Sequence, residues 1–516
     1  MNVKGFVFTK LLRTRSVLCC LMVALFCAFS CSEGTPETPQ PTPDEGADTL
    51  GAPPTIAWDE PSARFRIYTD ETLTLVPVLT GTDSASTYRW TMDGEVVSTE
   101  SHYSFVSSTP GEFFVQLVVT NRFGSAQDEV KITVLEHEVV SLPELPAIEG
   151  LCFRVPWTDI NIAQGRSIKV KAYLFGSITS PGTTWLLDGA PVAGLEDEVA
   201  YVFEAKEQGE HLLTLKFTDG SMAMEQPFLL HVCPPAGTFR RSFDGQAMVN
   251  KVYAFQPAPG HQVNGYIIVG DSYPEDCTHE QACDSVLAHF QRHWSISLGS
   301  QGGYLIAGFD HSVRNSGGGY DLCVRGNPFN YQSEPGIIWV SQDDNGDGLP
   351  NDQWFELAGS EYGGSRHLTE YAITYYRPEA RKSATAWRDC LGATGYVPYL
   401  SYWNPHDYYW QPWIQGTEHT YFGSRLEDRS TYESGISDIP PYDWGYVDNL
   451  GSDFINGPAG KMNYFRLSNA RTWDGQPANL EYIDFIRIQT AQIGSTPNLG
   501  DISTEVYYIS DYHMEQ

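Results

Sequence analysis

The sharpest chemical pattern in this 516-residue chain is Asp343-Asp344-Asn345-Gly346-Asp347-Gly348-Leu349-Pro350-Asn351-Asp352. Asp343, Asn345 and Asp347 stand at alternate positions, and Gly348 permits a tight turn. Several side-chain oxygens can therefore converge on one hard cation, and calcium is the natural guest. The place where an EF-hand carries its bidentate acid is Trp354 here, so Asp352 or Glu356 has to complete the shell. With every candidate ligand in one loop, such an ion is structural rather than catalytic. The competing reading is an acidic hairpin turned by Asn-Gly and Asp-Gly, with no ion.

A second pattern is aromatic. Tyr402, Trp403, Tyr408, Tyr409, Trp410 and Trp413 crowd into a dozen residues, interrupted by Asn404, Pro405, His406, Asp407 and Pro412. Two prolines and no helical spacing predict a loop. If exposed, the rings form a platform for the apolar face of a sugar or a corrin ring, with His406, Asp407 and Gln411 adding directional hydrogen bonds. If buried, the same rings fill a satellite core beneath a long loop. The acidic loop, for its part, resembles the cation loops of thrombospondin-type and dockerin-type repeats more than an EF-hand.

Catalytic patterns are sparse. The chain has no Gly-x-Ser-x-Gly elbow, no Walker loop and no Gly-x-Gly-x-x-Gly, and His279-Glu280-Gln281-Ala282-Cys283 lacks the second histidine of a metalloprotease. Glycoside hydrolysis needs two carboxylates at a set separation. With 64 acids in the chain some close pair is almost guaranteed, so composition does not argue for it. Glu334, Glu356 and Glu505 are candidate acids, although turn-forming or cation-ligating roles are simpler. The expectation is a protein that is not an enzyme. Lys and Arg total 32, giving a net charge of −32 and no positive footprint for nucleic acid.

The elements that must position these residues belong to an exported chain. Residues 1–30 combine Lys4, Lys10, Arg13 and Arg15 with an apolar stretch from Val17 to Phe29, which is short for a span and reads as a secretory signal. The segment ends Ala28-Phe29-Ser30-Cys31 and resembles a bacterial lipobox, which makes Cys31 the expected lipid anchor. Residues 31–54 are Pro-, Thr- and acid-rich, an extended tether. Such a spacer resembles those of lipoproteins on the outer membrane of Bacteroidetes-like bacteria, facing the exterior. Beyond the leader, an even set of cysteines remains. Cys152 and Cys233 bracket one module and are candidates to staple it, and Cys277 and Cys283 are candidates to close a small loop.

Two β-rich stretches repeat. Trp90-Thr-Met-Asp93-Gly94 returns as Trp185-Leu-Leu-Asp188-Gly189, and Gly111-Glu-Phe113 returns as Gly209-Glu-His211, after 95 and 98 residues. That offset is one sandwich length and predicts tandem Ig-like domains over residues 55–137 and 145–234, acting as spacers. Each Trp fills a core and each Asp-Gly turns a hairpin. The modules resemble the polycystic-kidney-disease (PKD) type of repeat, although its Trp-Asp-Phe-Gly-Asp signature is reduced here to Trp-x-x-Asp-Gly.

Residues 236–516 hold strand-like runs such as Gly303–Phe309, Gly336–Val340 and Tyr482–Ile488, with one helix expected over Thr278–Arg292. The fold class is therefore all-β: two sandwiches, then a larger jelly-roll-like sandwich. The stretches Gly319-Tyr-Asp321, Glu334-Pro335-Gly336, Asp443-Trp444-Gly445-Tyr446 and Ser503-Thr504-Glu505-Val506 resemble the C-terminal domain of Bacteroidetes cell-surface proteins with PKD repeats. Some of that family sit beside cobalamin-uptake genes. The resemblance implies capture of a glycan or a cobalamin-like nutrient, with an outer-membrane transporter as a partner. A structural or adhesive role is the alternative, and a glycoside hydrolase is a weaker one.

Overall fold

The computed structural model describes residues 51–516 apart from 59–63, 137–141, 179, 220–221, 236, 242–244, 264–273, 275, 331, 401–407, 434–435, 498 and 516. The signal segment, Cys31 and most of the tether lie outside the described residues. No described helix is long and apolar enough to cross a membrane.

Apolar and polar residues alternate along the first repeat, so its strands bury one face each. Arg64–Tyr68, Gly124–Leu135, Gly111–Asn121, Thr87–Met92 and Glu95–Ser98 form a five-stranded sheet in that order, and Thr72–Leu75 pairs with Tyr103–Val106 opposite it. The second repeat has the same plan: Asp159–Ala163, Met222–Cys233, Gly209–Asp219, Gly182–Leu187 and Ala190–Pro191, faced by Ser167–Lys171 with Ala200–Glu204. In both, the outermost strand runs parallel to its neighbour and the other pairs are antiparallel. Trp90 and Trp185 are fully buried, and each indole N–H donates at 2.9 Å to a backbone carbonyl, of Glu100 and Glu198 respectively. The hairpin turns put Asp93-Gly94 and Asp188-Gly189 at positive φ, near 50° and 80°, which is the reason for Asp-Gly in both places.

In the third region Lys251–Gln256, Tyr304–Arg314, Tyr482–Thr490, Gly336–Ser341, Trp354–Leu357 and Ala470–Arg471 form a six-stranded antiparallel sheet in that order. One face packs, through Leu305, Ile338, Ile486 and Ile488, against the sheet containing Leu322–Arg325 and Tyr508–Asp511 and against a helix. A third sheet, built from Thr394–Val397, Thr385–Asp389, His367–Tyr376 and Glu418–Leu426, carries the aromatic core of Tyr371, Tyr375 and Tyr421. The sandwich expected from sequence is thus extended by a further sheet. The helix spans His279–Phe290, and Thr278 and Gln281 cap it reciprocally, burying Val286 and Phe290.

All six described cysteines are free thiols, which corrects the disulfide expectation. Cys152 pairs with Phe175 on a short two-stranded sheet, whereas Cys233 ends a strand opposite Ala163. Cys283 lies 3.7 Å from His279 Nε2, and the Cys277 thiol donates to the Thr278 carbonyl.

Candidate functional site

The second module docks on the third region, and a cleft opens along their junction. Asn161 bridges Asp352 in parallel, and its amide donates to the Asn351 carbonyl at 3.0 Å. Arg166 reaches Asp344 at 2.6 Å, Lys169 and Lys171 reach Glu370 at 2.5 and 2.7 Å, and Arg154 pairs with Glu418. Trp473 donates its indole N–H to Ser167 Oγ at 2.9 Å, while Tyr173 and Phe175 pack on Ala372 and Phe422. A module expected to be a spacer is a wall of the site.

The cleft has two neighbouring compartments, of about 420 and 240 Å³, within the range of ligand sites at the larger one. Both are lined by Pro156, Trp157, Ile160, Trp354, Phe422 and Arg487. Strand register explains the floor. Ile306, Arg487, Trp339, Glu356 and Arg471 are successive cross-strand partners on the six-stranded sheet, so they point to one face in a row. All five line the cleft. Glu370 reaches the wall from a β-bulge between Leu368 and Tyr371, with a left-handed φ of 56°. A bulge of this kind re-aims a side chain out of the ladder. Burial raises the Glu370 carboxyl, but its bonds to Lys169 and Lys171 outweigh that and leave it below the ordinary value. Burial alone brings His419, on the larger compartment, down to about 4, so it is neutral at pH 7.

Arg487 is the central group. Its guanidinium lies 4.4 Å from the Tyr304 ring centroid and 5.0 Å from that of Trp339. Nη2 donates to the Phe422 carbonyl at 2.6 Å, and Nε is buried without a partner among the described residues. Glu356, two strands away in the row, is engaged elsewhere: Oε1 lies 2.8 Å from His367 Nε2, and Oε2 accepts from Ser424 at 2.5 Å.

The residues singled out by sequence fall in different places. Tyr402, Trp403 and His406 lie outside the described residues. Tyr409 and Trp410 are 2 and 3% exposed, so these two rings belong to a core and form no platform. Tyr409 accepts from the Leu400 amide, and the Trp410 indole donates to the Ile414 carbonyl. Half-buried Tyr408 accepts from Arg377 and donates to the Pro378 carbonyl, and Trp413 packs between two cores against Phe255. Residues 408–413 form neither helix nor strand, as the loop expectation has it for that part; what the spacing could not show is that Tyr409 and Trp410 turn inward to join Tyr371 and Tyr375.

In the acidic loop, Asp343 accepts from the Gly346 and Gly348 amides, and Asn345 and Asp347 bond each other and are exposed. Glu356 is turned into the cleft floor and does not join them, a correction to the expected ligand set. Asp352 is fully buried beside Asp344, and neither of its oxygens has a hydrogen-bond partner among the described residues; Asp344 Oδ1 has none either. Burial first, then the charges of Asp344, Asp343 and Asp347, push Asp352 up to about 9. Its neighbour Asn161 belongs to the second module, so these oxygens lie at the junction.

Glu334 and Glu505 meet Asp448, which sequence reasoning missed, in a group whose ligand atoms all lie within 4.8 Å of one another. Burial, then mutual repulsion, raises all three carboxyls well above the ordinary range. Ser503 donates its amide to Glu334 and its hydroxyl to Glu505.

Residues 53–121 match the model of a PKD-like domain. No curated protein matches the chain. Among solved structures, the titin domains Z1Z2 in complex with telethonin are 15% identical over 36% of this chain and 98% of that one, with a TM-score of 0.14. The fibronectin(III)-like modules of Clostridium thermocellum CbhA are 15% identical over 35% of this chain and 93% of theirs, with a TM-score of 0.14. The N-terminal four Ig domains of Dscam1 isoform 1.9 are 13% identical over 35% and 46%, with a TM-score of 0.15. The first module is similar to PKD-like domains, and the chain is all-β.

Proposed function

We propose that this is a non-catalytic surface protein that captures an extracellular glycan in the cleft between its second module and its third region. PKD-like and Ig-like modules support the surface or adhesive part of that reading. The cleft carries the rest: Trp157, Trp354 and Trp473 stand beside Arg487 and the Lys169–Glu370–Lys171 group. Such a mixture suits a sugar, whose ring has an apolar face and a rim of hydroxyls. Lipid attachment at Cys31 holds the protein on the outer membrane, facing outward, and an outer-membrane transporter takes the ligand on. A calcium ion at the acidic loop is structural, and the unpartnered oxygens of Asp344 and Asp352 support it.

Titration calorimetry of the protein against a panel of polysaccharides and cyanocobalamin tests the reading. Glycan binding lost in Trp354→Ala, with the thermal midpoint little changed, is the expected result. Cyanocobalamin binding would replace the glycan with a cobalamin-like nutrient, heat from no ligand would leave the adhesive role, and release of reducing sugar would make the protein a hydrolase.

A further inference from the structure

We propose that Arg487 anchors an acidic group of the ligand, so that the cleft selects molecules carrying a carboxylate, sulfate or phosphate beside an apolar ring face. This rests on the cleft being the binding site, and it adds the chemical class of what binds there.

The first observation is an uncompensated cation. Arg487 sits in a central strand of a six-stranded sheet, and among the described residues no carboxylate forms an ion pair with it. Glu356 shares its row but is committed to His367 and Ser424, and Glu370 is committed to two lysines. A charge removed from water without a counterion is costly. Flanking rings of Tyr304 and Trp339 offset part of that through their π faces and hold the guanidinium plane in place. Among the described residues it makes one hydrogen bond, to the Phe422 carbonyl, which leaves the fork short of acceptors. A planar fork with open donors is what a carboxylate, sulfate or phosphate engages best.

The second observation is local charge. Lys169, Lys171, Arg471 and Arg487 line the smaller compartment against only Glu356 and Glu370. The smaller compartment is thus net positive in a chain whose overall charge is −32. An anionic ligand repelled by the general surface is drawn to this one place. In the larger compartment Asp159 and Asp352 stand with Arg487, and Asp159 pairs with His231 at 3.0 Å, so the positive excess belongs to the smaller compartment.

The test is an array holding neutral glycans, the same backbones bearing uronic acid or sulfate groups, and cyanocobalamin, whose phosphodiester offers the same chemistry on a nutrient. The expected hits bear an acidic group and weaken with salt. Arg487→Gln should lower their affinity by ~10–100-fold, the scale of hydrogen bonds to charged groups, and leave any neutral hit within about threefold. Arg487→Lys keeps the charge without the fork, so it should fall between the two. Hits confined to uronates or sulfates identify a glycan source, and a hit on cyanocobalamin identifies the phosphodiester; either supports the proposal if Arg487→Gln weakens it. Neutral glycans bound as tightly as their acidic partners would overturn it while the cleft reading stands. No binding of any acidic member would overturn the proposal, and binding that survives Trp354→Ala unchanged, or no binding of any member of the array, would overturn both. If Arg487→Gln does not fold, discrimination by the unaltered protein and its salt dependence decide the matter.

Discussion

Trp410 and Trp354 make a paired prediction, because one ring belongs to a core and the other to a wall. Trp410 is 3% exposed and packs with Tyr399, Tyr409 and Ile414 among buried tyrosines. Truncating a buried Trp to Ala costs about 3–5 kcal/mol, from lost transfer energy plus the cavity left behind. Against a net stability of about 5–15 kcal/mol for a domain, that is a large fraction. Trp410→Ala should therefore lower the urea midpoint sharply, and any loss of ligand affinity should track the unfolded fraction. Trp354 is only half-buried, at the edge of a smaller cluster, and its ring lines both compartments. Its truncation should cost about 1 kcal/mol of stability, yet remove roughly 2 kcal/mol of binding, as buried aromatic contacts at interfaces do. Urea unfolding followed by fluorescence, with calorimetry under native conditions, reads both quantities. If Trp410→Ala melts like the parent but no longer binds, the platform predicted from sequence is real and the cleft is the wrong site.

Calcium at 100 times its Kd should stabilise the protein by about 2.7 kcal/mol, and Asp352→Asn should abolish that increment while leaving the midpoint in EDTA unchanged; an EDTA-insensitive midpoint would remove the ion from the account. The carboxyls of Glu334, Asp448 and Glu505 are raised in the folded chain. Between the unfolded value near 4 and the folded value the native state holds more protons, so stability is full below about pH 4 and declines as pH rises. His419 is depressed and contributes with the opposite sign only between about 4 and 6.5, so urea midpoints in EDTA from pH 7 to 9 report the raised acids, Asp352 among them, and comparison with Glu505→Gln isolates the share of this group. These midpoints should fall with pH, and less steeply in Glu505→Gln; a flat or rising series would contradict the buried group. Glu370→Ala frees Lys169 and Lys171 and leaves them facing each other, so it should cost about 1 kcal/mol of stability while tightening an acidic ligand several-fold, a split that calorimetry and thermal unfolding resolve.

Legibility followed locality. The repeat was readable because a buried Trp and an Asp-Gly turn lie within five residues of each other and recur at one sandwich length. The capped helix was readable because Thr278 and Gln281 bond across a single turn. The cleft was not readable, because Ile306, Trp339, Trp354, Arg471 and Arg487 come from separate strands joined only by register, while Phe422 comes from another sheet and Trp157 from a loop of the second module. One signal was present: Arg487 interrupts the apolar run Phe485-Ile486-Arg487-Ile488 in a strand that had to be central. A cation there needs a purpose, whereas Tyr409 and Trp410 of the conspicuous aromatic run need none beyond filling a core.

The two repeats also show how one fold was put to different uses through its outward positions. Leu73 and Phe105 pair across the minor sheet of the first module, as Ile168 and Phe203 do in the second, and all four are buried. The inward residues therefore conserve a sandwich and nothing more. Between them, at the same register, stand Thr74 and Lys169. Thr74 hydrogen-bonds Ser104 on its paired strand, whereas Lys169 crosses to Glu370 and joins the wall of the cleft. Arg166 and Lys171, at the ends of that strand, extend the contact to Asp344 and again to Glu370. Ionic contacts with a partly solvated surface are individually weak, and they do not explain why the module is folded. They explain why it stands where it does, holding Trp157 and Ile160 opposite Arg487. A module with the first repeat's outward residues in this position would keep its core and lose the cleft.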